Sequence, residues 1–287
     1  RPHRILLLSR FFQMVISSNS MTKTITRRGF LASSVVMMAG TLSVAQTPAS
    51  AGAPDQMLIE DLVAAYRILA QQGVLDGFGH VSARHDRAAN RFIMSRSLAP
   101  ELVTANDLIE FDLDANPVDA RGRSLYSERF IHAEIYRARA DVKAVVHNHA
   151  PSLIPFGVST VPLRPMYHMA AFIGNGVPIF DIRKSFGMTD MLVSDSRKGH
   201  ALAEALSDKT AVLMRGHGVA VVGSTIPIAV GRSIYLDQNA KIEAQAIGLG
   251  GNITYLDPQE AQKMMDSGEN RAYERPWELW KAKAMSK

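Results

Sequence analysis

The stretch Val145-Val146-His147-Asn148-His149-Ala150-Pro151 joins a buried strand to two histidines at alternate positions. The run from Val142 to Val146 is apolar and partly β-branched, which predicts a buried strand. On an extended chain alternate side chains share a face. His147 and His149 therefore point the same way, and Asn148 points opposite. Two imidazoles on one face at a strand end can chelate one metal ion. A third histidine, His217, stands between two glycines in Met214-Arg215-Gly216-His217-Gly218. Ala211 to Met214 and Val219 to Val222 flank it as apolar strands, which puts His217 at a strand–strand junction. If the fold brings His217 to the pair, three neutral imidazoles leave open positions for a substrate.

Outward from that stretch, helices and strands interleave. Pro54 to Gln72 has apolar residues at helical spacing and ends at Gly73. His80 to Arg84 and Arg91 to Ser95 predict a hairpin, and Asp107 to Asp112 a third strand. Ser127 is the predicted N-cap of a helix running to about Arg139. Pro151 to Val158 reads as a short helix, Met166 to Ile173 fits no single pattern, and Val177 to Phe180 reads as a short strand. Helices follow over Arg197 to Ser207, Thr225 to Gly248 and Pro258 to Asp266. The tail with Trp277 and Trp280 is amphipathic, which suggests packing on a neighbouring subunit. A mixed order of this kind predicts one sheet covered by helices on both faces. Gly248-Leu249-Gly250-Gly251 follows a helix rather than opening one, so it is a helix end and not a phosphate cradle.

The net charge of +5 misleads about partners. Residues 1–51 hold Arg1, Arg4, Arg10, Lys23, Arg27 and Arg28 and no acid. Removing those six from the 32 basic residues leaves 26 against 27 acids, a net of −1, which gives no ground for a nucleic-acid surface. Arg27-Arg28 followed by Phe30-Leu31, an apolar run from Ser33 to Ala45, and Ala49-Ser50-Ala51 resemble a twin-arginine export signal with its cleavage site. The expectation is a periplasmic protein without stable membrane insertion after processing. Residues 1–20 read as upstream sequence or a mis-assigned start, 21–51 as the signal, and 52–287 as one domain with a helical C-terminal tail. The chain has no cysteine, which rules out disulfides, thiolate ligands and a cysteine nucleophile.

Five segments occur in the order and spacing of the class II aldolase/adducin family. They are Gly79-His80-Val81-Ser82-Ala83-Arg84, Tyr126-Ser127-Glu128, His132-Ala133-Glu134-Ile135-Tyr136, His147-Asn148-His149 and Arg215-Gly216-His217-Gly218. The resemblance runs from about Leu58 to Gly250. It implies an α/β fold, a three-layer αβα sandwich around a mixed, largely antiparallel sheet. It also implies a homo-oligomer, a tetramer with sites between subunits. It carries a divalent metal to His147, His149 and His217, with Glu128 as proton shuttle or fourth ligand. Zinc is the first expectation, with manganese, iron or cobalt as alternatives. His132, one helical turn beyond Glu128, is either a core or interface histidine or a proton donor.

Departures from the family pattern narrow the substrate. Members acting on sugar phosphates hold the phosphate with Gly-Asn-x-Ser, Thr-Pro-Ser-Gly and Ser-Ser-Glu segments. Here His80 replaces the asparagine, Ser95-Arg96-Ser97-Leu98 replaces the second segment, and Tyr126 replaces the first serine of the third. Losing the glycine removes the close backbone approach an anion cradle needs. The expected substrate is a small non-phosphorylated hydroxy- or oxo-carboxylic acid, such as a hydroxylated aromatic acid. His80, Ser82, Arg84, Arg96, Tyr126, Ser127 and His168 are the candidate substrate contacts, the two arginines as a fork for a carboxylate. The expected reaction is metal-dependent aldol cleavage or decarboxylation. The alternatives are a non-haem iron oxygenase on the same scaffold and a non-catalytic adducin-like module.

Overall fold

A computed structural model describes residues 47–286 of the protein. The expected upstream stretch 1–20, and the expected signal up to residue 46, lie outside the described residues. Helix α1 (Gln56–Gln71) starts at Asp55, whose carboxylate accepts the Met57 N–H at 2.7 Å. Strands β1 (His80–Arg84), β2 (Arg91–Ser95) and β3 (Leu108–Asp112) follow as an antiparallel meander. Helix α2 (Arg129–Ala138) leads into β4 (Ala144–Asn148) and the short α3 (Ile154–Val158). Next come β5 (Ile179–Phe180), α4 (Arg183–Phe186), α5 (Ser196–Leu206), β6 (Ala211–Met214) and β7 (Gly218–Gly223). Helices α6 (Ile226–Leu249), α7 (Pro258–Asp266) and α8 (Glu269–Met285) close the chain.

The seven strands order as β3-β2-β1-β4-β7-β6-β5. Every neighbouring pair is antiparallel except β5 with β6. Each face of the sheet is covered, which makes the fold a three-layer α/β sandwich. Val81, Ala83, Ala144, Val146, Val219 and Val221 face α1, α6 and α8, in a core that includes Leu62, Leu69, Ile234 and Trp277. Val145, Ala220 and Val222 face the other way, with Ile131 and Ile135 of α2 and Leu202 and Leu206 of α5. Central strands buried on both faces read as continuous apolar runs, as the stretch into His147 does. Each fully buried branched side chain contributes about 1.5–3 kcal/mol.

Three sequence expectations shift in detail. The β4 strand extends through His147 and Asn148, so the first histidine lies inside the sheet rather than beyond its end. Glu128, not Ser127, is the N-cap of α2, and its side chain makes no cap bond because it turns into the site. The tail packs on its own chain: Trp277 joins the core under α1 and α6, with Trp280 against it and Lys281 paired to Asp61. Among the described residues, no helix is long and apolar enough to cross a membrane.

Candidate active site

The site lies where β1, β4 and the β6–β7 turn meet the start of α2. Strand alternation decides which side chains face it. His147 lies on the α2 side of the sheet, as Val145 does, while Ala144 and Val146 face the opposite core. His147 pairs with His80 on β1 and with Ala220 on β7. The small alanine leaves room for the imidazole. His217 reaches the pair through the β6–β7 turn, which needs both glycines. Gly216 has φ +64°, in the left-handed region. A Cβ on Gly218 would stand 2.2 Å from the Asn148 carbonyl oxygen and 2.9 Å from His149 Cδ2. Arg215 beside them pairs its Nε with Asp181 Oδ1 at 3.0 Å, tying the turn to the end of β5.

Three imidazole nitrogens and one carboxylate converge. His147 Nε2 lies 3.0 Å from His149 Nε2, which lies 3.1 Å from His217 Nε2. Glu128 Oε2 lies 3.5 Å from His147 Nε2 and 3.4 Å from His217 Nε2. All four ligand atoms fall within 4.8 Å of one another. Backbone carbonyls fix two of the tautomers. His147 Nδ1–H donates to Val219 O at 3.1 Å, and His217 Nδ1–H donates to Met191 O at 3.1 Å. Both rings therefore turn a bare Nε2 lone pair toward the cluster, the arrangement by which carbonyls orient metal-bound histidines. Lone pairs crowded at about 3 Å repel unless a cation or a shared proton lies between them. His149 can offer at most one proton at Nε2, whereas a divalent cation satisfies all four donors. The donor set thus fits a divalent ion with three nitrogens and one oxygen.

The electrostatics follow from burial and mutual proximity. Burial, reinforced by His147 and His217, pulls the His149 pKa down to about 4. Burial pushes Glu128 up, but the close approach of His147 and His217 outweighs it and holds the carboxyl well below the usual range. Burial pulls His217 down, yet the Glu128 carboxylate beside it and the Met191 carbonyl leave it raised. Glu128 Oε1 accepts the Val193 N–H at 2.9 Å, so Oε2 is the oxygen left for chemistry.

A cleft of about 570 Å³ opens above this cluster. Tyr126, Ser127, Glu128, His80, His149 and His217 line it, and Phe78, Leu98, Leu125 and Leu192 form apolar walls. None of the described residues lining it is lysine or arginine. The Tyr126 hydroxyl donates to Leu98 O at 2.5 Å and fixes the loop after β2.

Four expected substrate contacts stand elsewhere. Arg84 sits at the far end of β1 from His80, roughly 13 Å along the strand at about 3.3 Å per residue. Its guanidinium is buried and donates to the carbonyls of Val142, Tyr136, Arg139 and Ala89, so no fork is left for a carboxylate. Arg96 gives its Nε to Asp107 Oδ1 at 2.6 Å and does not line the cleft. Ser82 is fully buried beneath His80, bonded to His132 and Tyr136. His168 opens a short 3₁₀ turn beside Met264 and Tyr273, away from the cleft. Sequence reasoning also missed the 191–193 segment. Its backbone orients both Glu128 and His217, and irregular backbone leaves no periodic signal.

Comparison with known proteins agrees with this geometry. Residues 60–244 match the family described as Class II Aldolase and Adducin N-terminal domain. The chain is 35% identical over 249 residues to Decarboxylase tropJ of Talaromyces stipitatus, covering 79% of this chain and 94% of that protein. It is 27% identical over 233 residues to 3,4-dihydroxyphthalate decarboxylase of Arthrobacter keyseri, covering 76% and 90%. Among solved structures it resembles L-fuculose 1-phosphate aldolase from Glaciozyma antarctica, with a TM-score of 0.66 and 25% identity over 79% of this chain and 88% of that one.

Proposed function

The chain belongs to the class II aldolase/adducin family and is an enzyme of the lyase type, and from its site we propose that it is a divalent-metal-dependent decarboxylase of a hydroxylated aromatic acid. The observation that carries this reading is the four-donor cluster at the floor of a cleft with apolar walls and no lining cation. The segments that cradle a sugar phosphate in the family are altered here, and His80, Ser97, Leu98 and Tyr126 stand on the cleft wall in their place. A flat ring suits walls of Phe78, Leu98, Leu125 and Leu192. The name of the Talaromyces stipitatus relative supports the reaction, and that of the Arthrobacter keyseri relative, a 3,4-dihydroxyphthalate decarboxylase, supports the substrate class.

His147, His149 and His217 would hold the ion, with the Glu128 carboxylate beside them. When bound, a divalent cation supplies Lewis-acid stabilisation of the charge that develops as the C–C bond breaks. Glu128, ionised at rest, takes the proton of the substrate hydroxyl on Oε2. As the bond to the carboxyl carbon breaks, carbon dioxide leaves and the electron pair stays on the ring carbon. Glu128 then returns its proton to that carbon. Solvent reprotonates the hydroxyl oxygen on release. Val193 N–H keeps Oε1 in place, so the same oxygen acts in both transfers.

The test is anaerobic carbon dioxide release from a panel of hydroxylated aromatic acids, after metal removal and reconstitution. Glu128→Gln is expected to lower kcat by about 10²–10⁴ while the metal stays bound. Full metal content and unchanged turnover in His147→Ala end the proposal. Oxygen uptake with ferrous iron in place of carbon dioxide release transfers the site to the oxygenase reading. We further propose a periplasmic location by the twin-arginine signal and a homotetramer. Fractionation of an Arg27→Lys/Arg28→Lys variant and light scattering of purified protein test these.

A further inference from the structure

A series of side chains runs from the cleft into the core behind His80. His80 Nδ1 lies 2.6 Å from His132 Nε2, and His132 Nδ1 lies 2.6 Å from Ser82 Oγ. Ser82 Oγ lies 2.8 Å from the Tyr136 hydroxyl. The series exists because two periodicities match. His80 and Ser82 are two apart on a strand, and His132 and Tyr136 are four apart on α2. Each spacing advances about 6–7 Å, so both pairs stay level across the interface.

The direction of the protons follows from counting. The buried Tyr136 hydroxyl has one side-chain partner, Ser82 Oγ, beside a backbone interaction at Val145, and donating to Ser82 is the direction that leaves its proton with an acceptor. Ser82 then has its own O–H left for its second partner, His132 Nδ1. An imidazole that accepts at Nδ1 carries its proton at Nε2, so His132 donates to His80 Nδ1. His80 in turn carries its proton at Nε2. Among the described residues that atom has no protein partner, yet it is not sealed from solvent, and the ring lines the cleft. His80 stands 4.6 Å from the Tyr126 ring and 5.0 Å from the His147 ring, centroid to centroid.

We propose that Tyr136, Ser82 and His132 act as positioning residues that hold His80 as a fixed, neutral Nε2–H donor, and that this donor grips the carboxylate of the substrate. The assignment rests on the decarboxylase reading for its ligand class, a hydroxylated aromatic carboxylate. With no lysine or arginine on the cleft wall, His80 is the donor with a preset direction beside the metal ligands. A neutral donor also suits the chemistry. A carboxylate locked to a guanidinium is stabilised in the ground state, and that stabilisation is lost on becoming neutral carbon dioxide.

Long-range proton–nitrogen NMR of histidine-labelled protein reads the tautomer directly, with His80 assigned through His80→Gln. The expected result, in chelated and zinc-loaded protein alike, is the Nε2–H form of His80. Ser82→Ala is expected to mix the two forms, and Ser82→Thr, which keeps the hydroxyl, to restore the wild-type spectrum. Calorimetric binding supplies the second arm. Ser82→Ala is expected to weaken a dihydroxybenzoate about tenfold while catechol, which lacks the carboxylate, changes less than twofold. An Nδ1–H form in the wild type, an unchanged spectrum in Ser82→Ala, or equal loss for both ligands overturns the proposal. Absence of carbon dioxide release with all these results in place refutes the decarboxylase reading and leaves the donor assignment standing.

Discussion

Gly218→Ala tests whether the β6–β7 turn positions His217 by close approach to β4. The added Cβ would sit 2.2 Å from the Asn148 carbonyl oxygen, against an ordinary contact of more than 3 Å, and 2.9 Å from His149 Cδ2. The two strands must therefore separate by about an ångström at the site, since backbone cannot rotate out of the way as a long side chain can. Overpacking of this kind costs about 1–3 kcal/mol. At about 2–4 °C per kcal/mol for a domain of this size, Tm of metal-free protein falls by roughly 2–12 °C. The larger effect falls on the metal, because His149 and His217 Nε2 lie only 3.1 Å apart in the native turn. Disturbing the support of a ligand costs about 10–100-fold in metal affinity. The assay is thermal unfolding in chelator together with competition titration of zinc. Gly248→Ala is the matched control: nothing stands within 4 Å of its Cβ and it lies inside α6. It is expected to stabilise by about 0.4–1 kcal/mol without changing metal affinity. Equal metal affinity in Gly218→Ala and Gly248→Ala refutes the close-approach argument.

Other outcomes follow from the same geometry. Arg84→Met leaves four carbonyls without their shared donor and is expected to destabilise by about 3–5 kcal/mol in urea unfolding, with substrate KM of the folded fraction unchanged; a raised KM at full stability returns Arg84 to the substrate. Burial, with His147 beside it, lowers the His132 pKa to about 3, against about 6.5 in the unfolded chain. Between those values the unfolded state takes up a proton that the folded state refuses. Stability is therefore full above about pH 6.5 and falls as the pH drops, by about 1.4 kcal/mol per pH unit for this group. Urea unfolding in chelator at pH 7, 6 and 5 should show a shallower fall in His132→Asn, and equal slopes contradict the assignment. Zinc at 100 times its Kd should stabilise the metal-free protein by about 2.7 kcal/mol, read as a concentration-dependent Tm, and no rise in Tm argues against a folded-state metal site.

The linear chain determined the sheet and most of the metal-site geometry. Strand parity put His147 and His149 on one face, because the side-chain period of an extended chain is two whatever surrounds it. The apolar runs around Gly216-His217-Gly218 specified a hairpin, and the ordered motifs specified the layers. Local pattern could not decide which donors remain free. Arg84 read as a carboxylate fork, and only the approach of α2 and the 139–142 segment shows its guanidinium spent on carbonyls. Ser82 shares the His80 face by parity, but the helix packed over it makes it part of a buried hydrogen-bond series. His168 stayed away because a 3₁₀ turn placed it against α7. The 191–193 backbone, which aims Glu128 and His217, carries no side-chain code at all. Spacing along the chain fixes which residues share a face, whereas the partners that occupy a polar group come from segments far apart in sequence, and those meet only in the folded protein.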